Sequence, residues 1–304
     1  MNDAYDSMQK RLDGIRDAVT NVANGYFTGV YLCGPRGTGK TWTVEETLKN
    51  LGRQGKYDPH NGGGITDGGL LELLWQNDAN HLDRNLLLDD CGELFTPKCA
   101  RARQYLLKAL GGKGGTTRYI PYVSAKEERT VEFRRGIFAI SNIPLARHND
   151  NVLGALRDRV IVLNHEPTDV ELVALMRHHA QEPIDGVLPE QLVEIVDYLE
   201  SLYASHDLRP SLRDFFLKAI PVYRACKAGD SRHPWQARLK ADITMRTILP
   251  DCPTRADQVA YKQRVAVAIS KQHKHLKDRL RAWEEATGDG QASLYRHLRN
   301  ARIK

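Results

Sequence analysis

Gly34, Pro35, Arg36, Gly37, Thr38, Gly39, Lys40 and Thr41 follow the order G-x-x-x-x-G-K-[ST], which suits them to grip a triphosphate. Glycines let a backbone curl until its N–H groups face phosphate oxygens. A lysine placed like Lys40 reaches the β and γ oxygens, and a hydroxyl placed like Thr41 can ligate Mg²⁺. Trp42, next along the chain, is counted with these candidate ATP contacts. A second element follows about fifty residues later, where Leu86-Leu87-Leu88-Asp89-Asp90 is an apolar run ending in two acids, as a Walker B element is. There Asp89 would hold Mg²⁺ through water and Asp90 would polarise the attacking water, with Glu93 a rival for that role. Two acids that merely cap the next helix are the plainer alternative. A third apolar run, Ile137-Phe138-Ala139-Ile140-Ser141, ends at the polar amide of Asn142.

These groups need a frame. Residues 28–33 read as a strand entering the glycine-rich loop and 41–50 as a helix leaving it, which puts bound phosphates at a helix N-terminus. Further strands are expected at 85–90, 136–141 and 160–163, with a weak one near 64–66. Helical stretches at 70–75 and 100–110 separate them. Alternating strands and helices imply a parallel sheet with its site at the C-terminal ends of the strands. Residues 1–23 carry helical spacing (Met8, Leu12, Ile15, Val19, Val22), and after Thr168 the chain turns helical at 170–180, 189–205 and 211–224. The division expected is a nucleotide-binding α/β domain over 1–166, a helical lid over 167–226 and a basic helical domain over 227–304.

The 304 residues are 41% hydrophobic, enough for a globular core. The chain has no run of eighteen apolar residues, and Met1 to Asp6 lack the basic-then-apolar order of a signal peptide, so a cytoplasmic location without membrane partners is expected. Five scattered cysteines without a C-x-x-C pair argue for reduced thiols and against structural zinc, and the close histidines (178/179, 273/275) read as solvated surface. The net charge of +6 is uneven: residues 226–304 hold 17 Lys and Arg against 8 Asp and Glu, which leaves the first 225 residues slightly acidic. Such a block favours a polyanion, nucleic acid first, over a basic surface that touches nothing.

With the loop and the paired acids, Asn142 at its strand end makes residues 20–225 resemble the AAA+ ATPases. That resemblance implies a P-loop α/β fold with a parallel sheet, flanking helices and a helical lid, hydrolysing ATP with Mg²⁺. It assigns Asn142 to the sensor-1 place, where it helps position the lytic water. Arg159, with Arg157 as the alternative, matches the finger that reaches a neighbouring subunit's γ-phosphate, and Arg213 matches the sensor-2 contact to the subunit's own phosphates. A guanidinium at the γ-phosphoryl accelerates the step by roughly 10³–10⁵. A finger supplied in trans implies a ring or filament of copies, usually a hexamer.

Between the paired acids and Asn142, residues 118–123 and 130–133 are β-like runs around a charged turn, which reads as a hairpin. It resembles the hairpin that precedes sensor 1 in superfamily 3 helicases, branch-migration motors and MoxR-type ATPases. That resemblance puts Lys126 and Arg129 at a DNA-facing tip, with Lys113 and Arg118 before it. A lid with a sensor-2 Arg is unusual among those helicases. Near the C-terminus, 276–287 and 291–298 resemble a helix-turn-helix reader, with Gln291 and Ser293 toward bases and Arg296, Arg299 and Arg302 toward phosphates. Packing of Leu276, Leu280, Trp283, Leu294 and Leu298 explains the same residues. The function expected is ATP-driven motor or switch work on DNA in replication, recombination or a mobile element. The alternative is MoxR-type remodelling of a protein partner.

Overall fold

The structure is a computed structural model and describes residues 2–53, 56–61, 64–95, 99–123, 128–145, 151–231, 233–248, 266–267, 269–270, 275–287 and 291–302. Lys126 lies outside the described residues, as does the side chain of Arg299. The chain divides into two compact units, 1–240 and 241–304.

Among the described residues of the first unit seven strands form: β1 (Gly29–Cys33), β2 (Tyr57–Asn61), β3 (Asn85–Asp89), β4 (Arg118–Val123), β5 (Glu128–Phe133), β6 (Ile137–Ser141) and β7 (Ile161–Asn164). Five of them make a parallel sheet in the order β2-β3-β6-β1-β7, and β4 with β5 is a separate antiparallel hairpin. β1 and β6 are buried along their whole length, which is why they read as unbroken apolar runs: a parallel sheet has helices on both faces. β2 sits at the edge and carries Pro59, tolerated there because half the N–H groups of an edge strand face away from the ladder. This strand replaces the one expected near 64–66. Thr66 is instead the N-cap of the following helix, its hydroxyl accepting from Gly69 N at 3.1 Å.

The flanking helices are α1 (Asn2–Ala23), α2 (Lys40–Asn50), α3 (Asp67–Gln76), α4 (Ala100–Ala109) and α5 (Asn151–Arg157). Met8, Leu12, Ile15, Val19 and Val22 of α1 are all buried, as their helical spacing predicts. The lid comprises α6 (Asp169–His179), α7 (Pro189–His206), α8 (Leu212–Asp214) and α9 (Ile220–Lys227). Thr168 and Glu171 close a capping box at the start of α6, and Ser7 and Arg11 of α1 both donate to the same Glu171 carboxylate, which ties α1 to the lid. The helix expected over 211–224 is interrupted by a π-turn at Phe215–Ala219. Pro221 has no N–H to continue the regular ladder there.

The helix α10 (Trp235–Ile248) begins inside the first unit. Trp235 is buried edge-on against Tyr198 and Tyr223, and the Tyr198 hydroxyl donates to Gln236 O at 2.8 Å. The unit holding the sheet therefore continues to Lys240, past the boundary expected at 226. In the second unit, helices Leu276–Thr287 and Gln291–Arg302 share a small core of Ala266, Ile269, Trp283 and Leu294, with Leu280 and Leu298 beside it. Among the described residues no helix is long and apolar enough to cross a membrane.

Candidate active site

The loop between β1 and α2 lies at the C-terminal end of the sheet, and its shape follows from its glycines. Gly37 and Gly39 adopt φ of +73° and +87°, conformations that a side chain resists. Gly34 is required by closeness rather than by φ, because a Cβ there would lie 2.0 Å from His165 O. At Gly37 a Cβ would meet Ser211 Oγ at 2.1 Å, and Leu212 N donates to Gly37 O at 2.8 Å, so the start of α8 rests on the loop.

Side chains from the start of α2 and the ends of β3 and β6 converge on this loop. Lys40 Nζ donates to Gly34 O (2.8 Å), Pro35 O (2.7 Å) and Asn142 Oδ1 (3.2 Å). Asn142 Nδ2 in turn donates to Asp90 Oδ1 at 2.9 Å. Thr41 Oγ1 donates to Asp89 Oδ2 at 3.0 Å, and the other Asp89 oxygen accepts from Asp90 N at 2.9 Å. Asp90 is left-handed at φ +50°, the bend that turns the chain out of β3 while its carboxylate meets Asn142. These contacts form because β6 lies between β1 and β3 and carries Asn142 between the loop and the acids.

Burial pulls the Lys40 ammonium down to about 8, and the Arg213 charge pushes the same way, while Cys33, Asp89 and Asp90 push against it. A triphosphate would supply the anionic partner that the loop carbonyls only approximate. Arg213, exposed on α8, is thus close enough for its charge to act on Lys40. Trp42 is half-exposed on the first turn of α2, edge-on to His179. Glu93 is exposed on the 3-10 turn Cys91–Phe95 that follows the acids. Arg159 is exposed, and its guanidinium donates to Leu107 O of α4 at 3.0 Å rather than to the loop of its own chain.

One residue at this site was absent from the sequence expectations. His165, 2% exposed just after β7, places Nε2 2.9 Å from Thr38 O, and its backbone N–H donates to Cys33 O at 2.7 Å. Burial depresses its pKa and keeps it neutral, so Nε2 carries the proton that the Thr38 carbonyl accepts. A lone histidine after an apolar strand has no spacing signal to find it by.

The hairpin departs from the DNA-facing expectation. Its register pairs Arg118 with Phe133 and Tyr122 with Arg129, which turns both arginines toward the body of the protein. Arg118 is buried, its guanidinium donating to Phe133 O (3.1 Å) and to Arg135 O, and burial lowers its pKa to about 10. It cannot meet a DNA backbone from that place. Arg129 lies over the Trp75 and Tyr122 rings and donates to Glu72 at 3.2 Å. Lys113 is exposed in the preceding loop, and Arg296 is exposed on the last helix.

No protein-family model matches the chain, and neither does any characterised protein compared with it by sequence. Solved structures do match. ORC2 of Aeropyrum pernix, in ADPNP–ADP complexes, is 12% identical with a TM-score of 0.53, over 96% of this chain and 84% of that one. NtrX of Brucella abortus in complex with ATP is 15% identical (TM-score 0.48, 96% of this chain and 67% of that one). AMPPCP-bound DnaA from Aquifex aeolicus is 13% identical (TM-score 0.44, 96% and 86%). With the strand order and the loop geometry, the first of these places the chain in the AAA+ P-loop fold class, with a helical C-terminal part. The likeness reaches that fold and stops short of a superfamily 3 or MoxR assignment.

Proposed function

We propose that this chain is an AAA+ ATPase that couples ATP hydrolysis to an assembly of its own copies acting on DNA, in replication, recombination or a mobile element. The observation that carries the ATPase reading is the connected set Lys40, Asn142, Asp90, Thr41 and Asp89 on the mouth of the phosphate loop. Lys40 is poised to leave two loop carbonyls for β and γ oxygens. Asn142 fixes one Asp90 oxygen and leaves the other to accept a proton from water.

A hydroxyl and a carboxylate 3.0 Å apart fit Mg²⁺, which takes one or two protein ligands and completes its shell with water and phosphate. Thr41 and Asp89 would hold it, and bound there it would neutralise charge on the phosphates. Among the described residues no cluster of three His, Cys, Asp or Glu forms an all-protein metal cage, as this mode of binding requires none. Arg213 would meet the phosphates of its own chain, and Arg159 those of a neighbour in a ring or filament, a hexamer by analogy.

The DNA reading rests on the basic C-terminal block, with Arg296 and Arg299 among its candidates. A protein partner is the second reading, favoured by one observation: the outer face of the hairpin presents Tyr119, Pro121 and Val123 beside Glu128 and Glu132, an apolar and acidic surface. The test is the ATPase rate with and without single- and double-stranded DNA at two salt concentrations, with Lys40→Ala as control. DNA stimulation that falls steeply with salt supports the first reading. Turnover indifferent to DNA moves the choice to a protein partner. Arg159→Ala should be inactive and partly rescued by mixing with Lys40→Ala, and no rescue would remove the trans assignment.

A further inference from the structure

At the opposite end of the sheet from the phosphate loop, the segments entering β1, β3 and β6 enclose a cavity of about 280 Å³. Arg53, Arg134, Arg135, Asn24, Asn85 and Phe27 are among its walls. The arginines are short of carboxylate. Arg134 donates to both Asp83 oxygens, at 2.8 and 2.7 Å, and Arg135 shares the same carboxylate. Arg53 donates to the neutral amide oxygen of Asn24 at 3.3 Å. Among the described residues, two guanidiniums thus share one acid and the third meets only a neutral amide, which leaves the cavity positive and open to an anion.

Aromatic rings stand where the cavity meets solvent. Phe27 is 48% exposed in its wall, and Tyr26 beside it is 71% exposed. The loop carrying Lys113 packs on the same segment, since a Cβ on Gly114 would come within 2.4 Å of Gly25 O. Guanidiniums beside exposed rings form the arrangement that holds an unpaired strand, with phosphate on the cation and base on the ring. A duplex keeps its bases stacked inside and leaves exposed rings without partners. Five-residue strands separate this cavity from the nucleotide loop by roughly 16 Å, so a strand held here does not compete with ATP.

We propose that this cavity takes a backbone phosphate of single-stranded nucleic acid while neighbouring bases stack on Tyr26 and Phe27. The proposal rests on the DNA reading above and gives it a contact surface in place of the inward-turned hairpin arginines.

The test is anisotropy of a fluorescein-labelled oligothymidine titrated with the full chain over a range of salt. Arg53→Gln should weaken binding roughly tenfold at low salt and reduce the salt slope by about one. Tyr26→Ser with Phe27→Ser should weaken it roughly fivefold to a hundredfold. Basal ATPase and thermal midpoint should stay unchanged in both, and Arg53→Lys should retain most of the binding. Wild-type binding that neither variant alters would overturn this site and leave the DNA reading standing. No oligothymidine binding by the wild type would overturn this site, and binding of a labelled duplex in the same assay would then keep the DNA reading while its absence would remove that too. Binding of inorganic pyrophosphate that needs Arg53, with no oligonucleotide binding, would show a small-anion site and overturn the proposal.

Discussion

Replacing His165 with leucine isolates one hydrogen bond that holds the phosphate loop. The histidine side chain is 2% exposed and its Nε2 lies 2.9 Å from Thr38 O, so a leucine in its place would fill the space but leave that carbonyl facing an apolar wall. An unsatisfied buried acceptor costs about 1–3 kcal/mol. The bond acts on the loop that receives the triphosphate, so most of that cost should appear in nucleotide binding, as an ATP affinity weaker by roughly five- to a hundredfold. Glutamine should recover most of it, because its amide nitrogen can donate to the same carbonyl without titrating. The assay is titration with a fluorescent ATP analogue, with thermal melts run in parallel. Wild-type affinity in His165→Leu would refute the argument. So would equal losses in the leucine and glutamine variants, which would make the residue a filler of volume and not a donor.

Three further outcomes follow from the same geometry. Asp90→Asn should bind nucleotide normally and slow hydrolysis by two orders of magnitude or more, roughly the contribution of a general base; normal turnover in single-cycle kinetics would hand the role to Glu93. Gly37→Ala must resolve both a φ of +73° and a 2.1 Å approach to Ser211 Oγ, so it should lift α8 from the loop and weaken ATP binding at least tenfold; unchanged binding by calorimetry would show that the lid contact is dispensable. The Arg134 guanidinium, and after it that of Arg135, holds the Asp83 carboxyl at about 2, below the 3.9 or so of an unfolded aspartate. A depressed carboxylate stabilises the fold above the unfolded value, and that contribution is lost as pH falls from about 4 to 2. Denaturant melts should therefore lose more stability over that window in the wild type than in Asp83→Asn, and parallel curves would contradict the assignment.

The phosphate loop, the two acids at the end of β3 and Asn142 after β6 were legible in the sequence because their signals are local. A glycine pattern, an apolar run and the polar residue that ends it lie within a few positions of one another, and a parallel sheet with both faces covered makes each run conspicuous. The edge strand β2 was not legible, because exposure to solvent lets it carry Asp58, Pro59 and His60, which have no strand signature. Nor was the fate of Arg118 and Arg129. Strand alternation puts every second residue on one face, but which face meets the body is set by how the hairpin packs on α3 and α4. Composition alone placed the excess of positive charge in residues 226–304. Only the tertiary structure brought Arg53, Arg134 and Arg135 to one cavity, and His165 beneath Thr38, because those residues come from separate stretches of chain that meet only where the sheet aligns their ends.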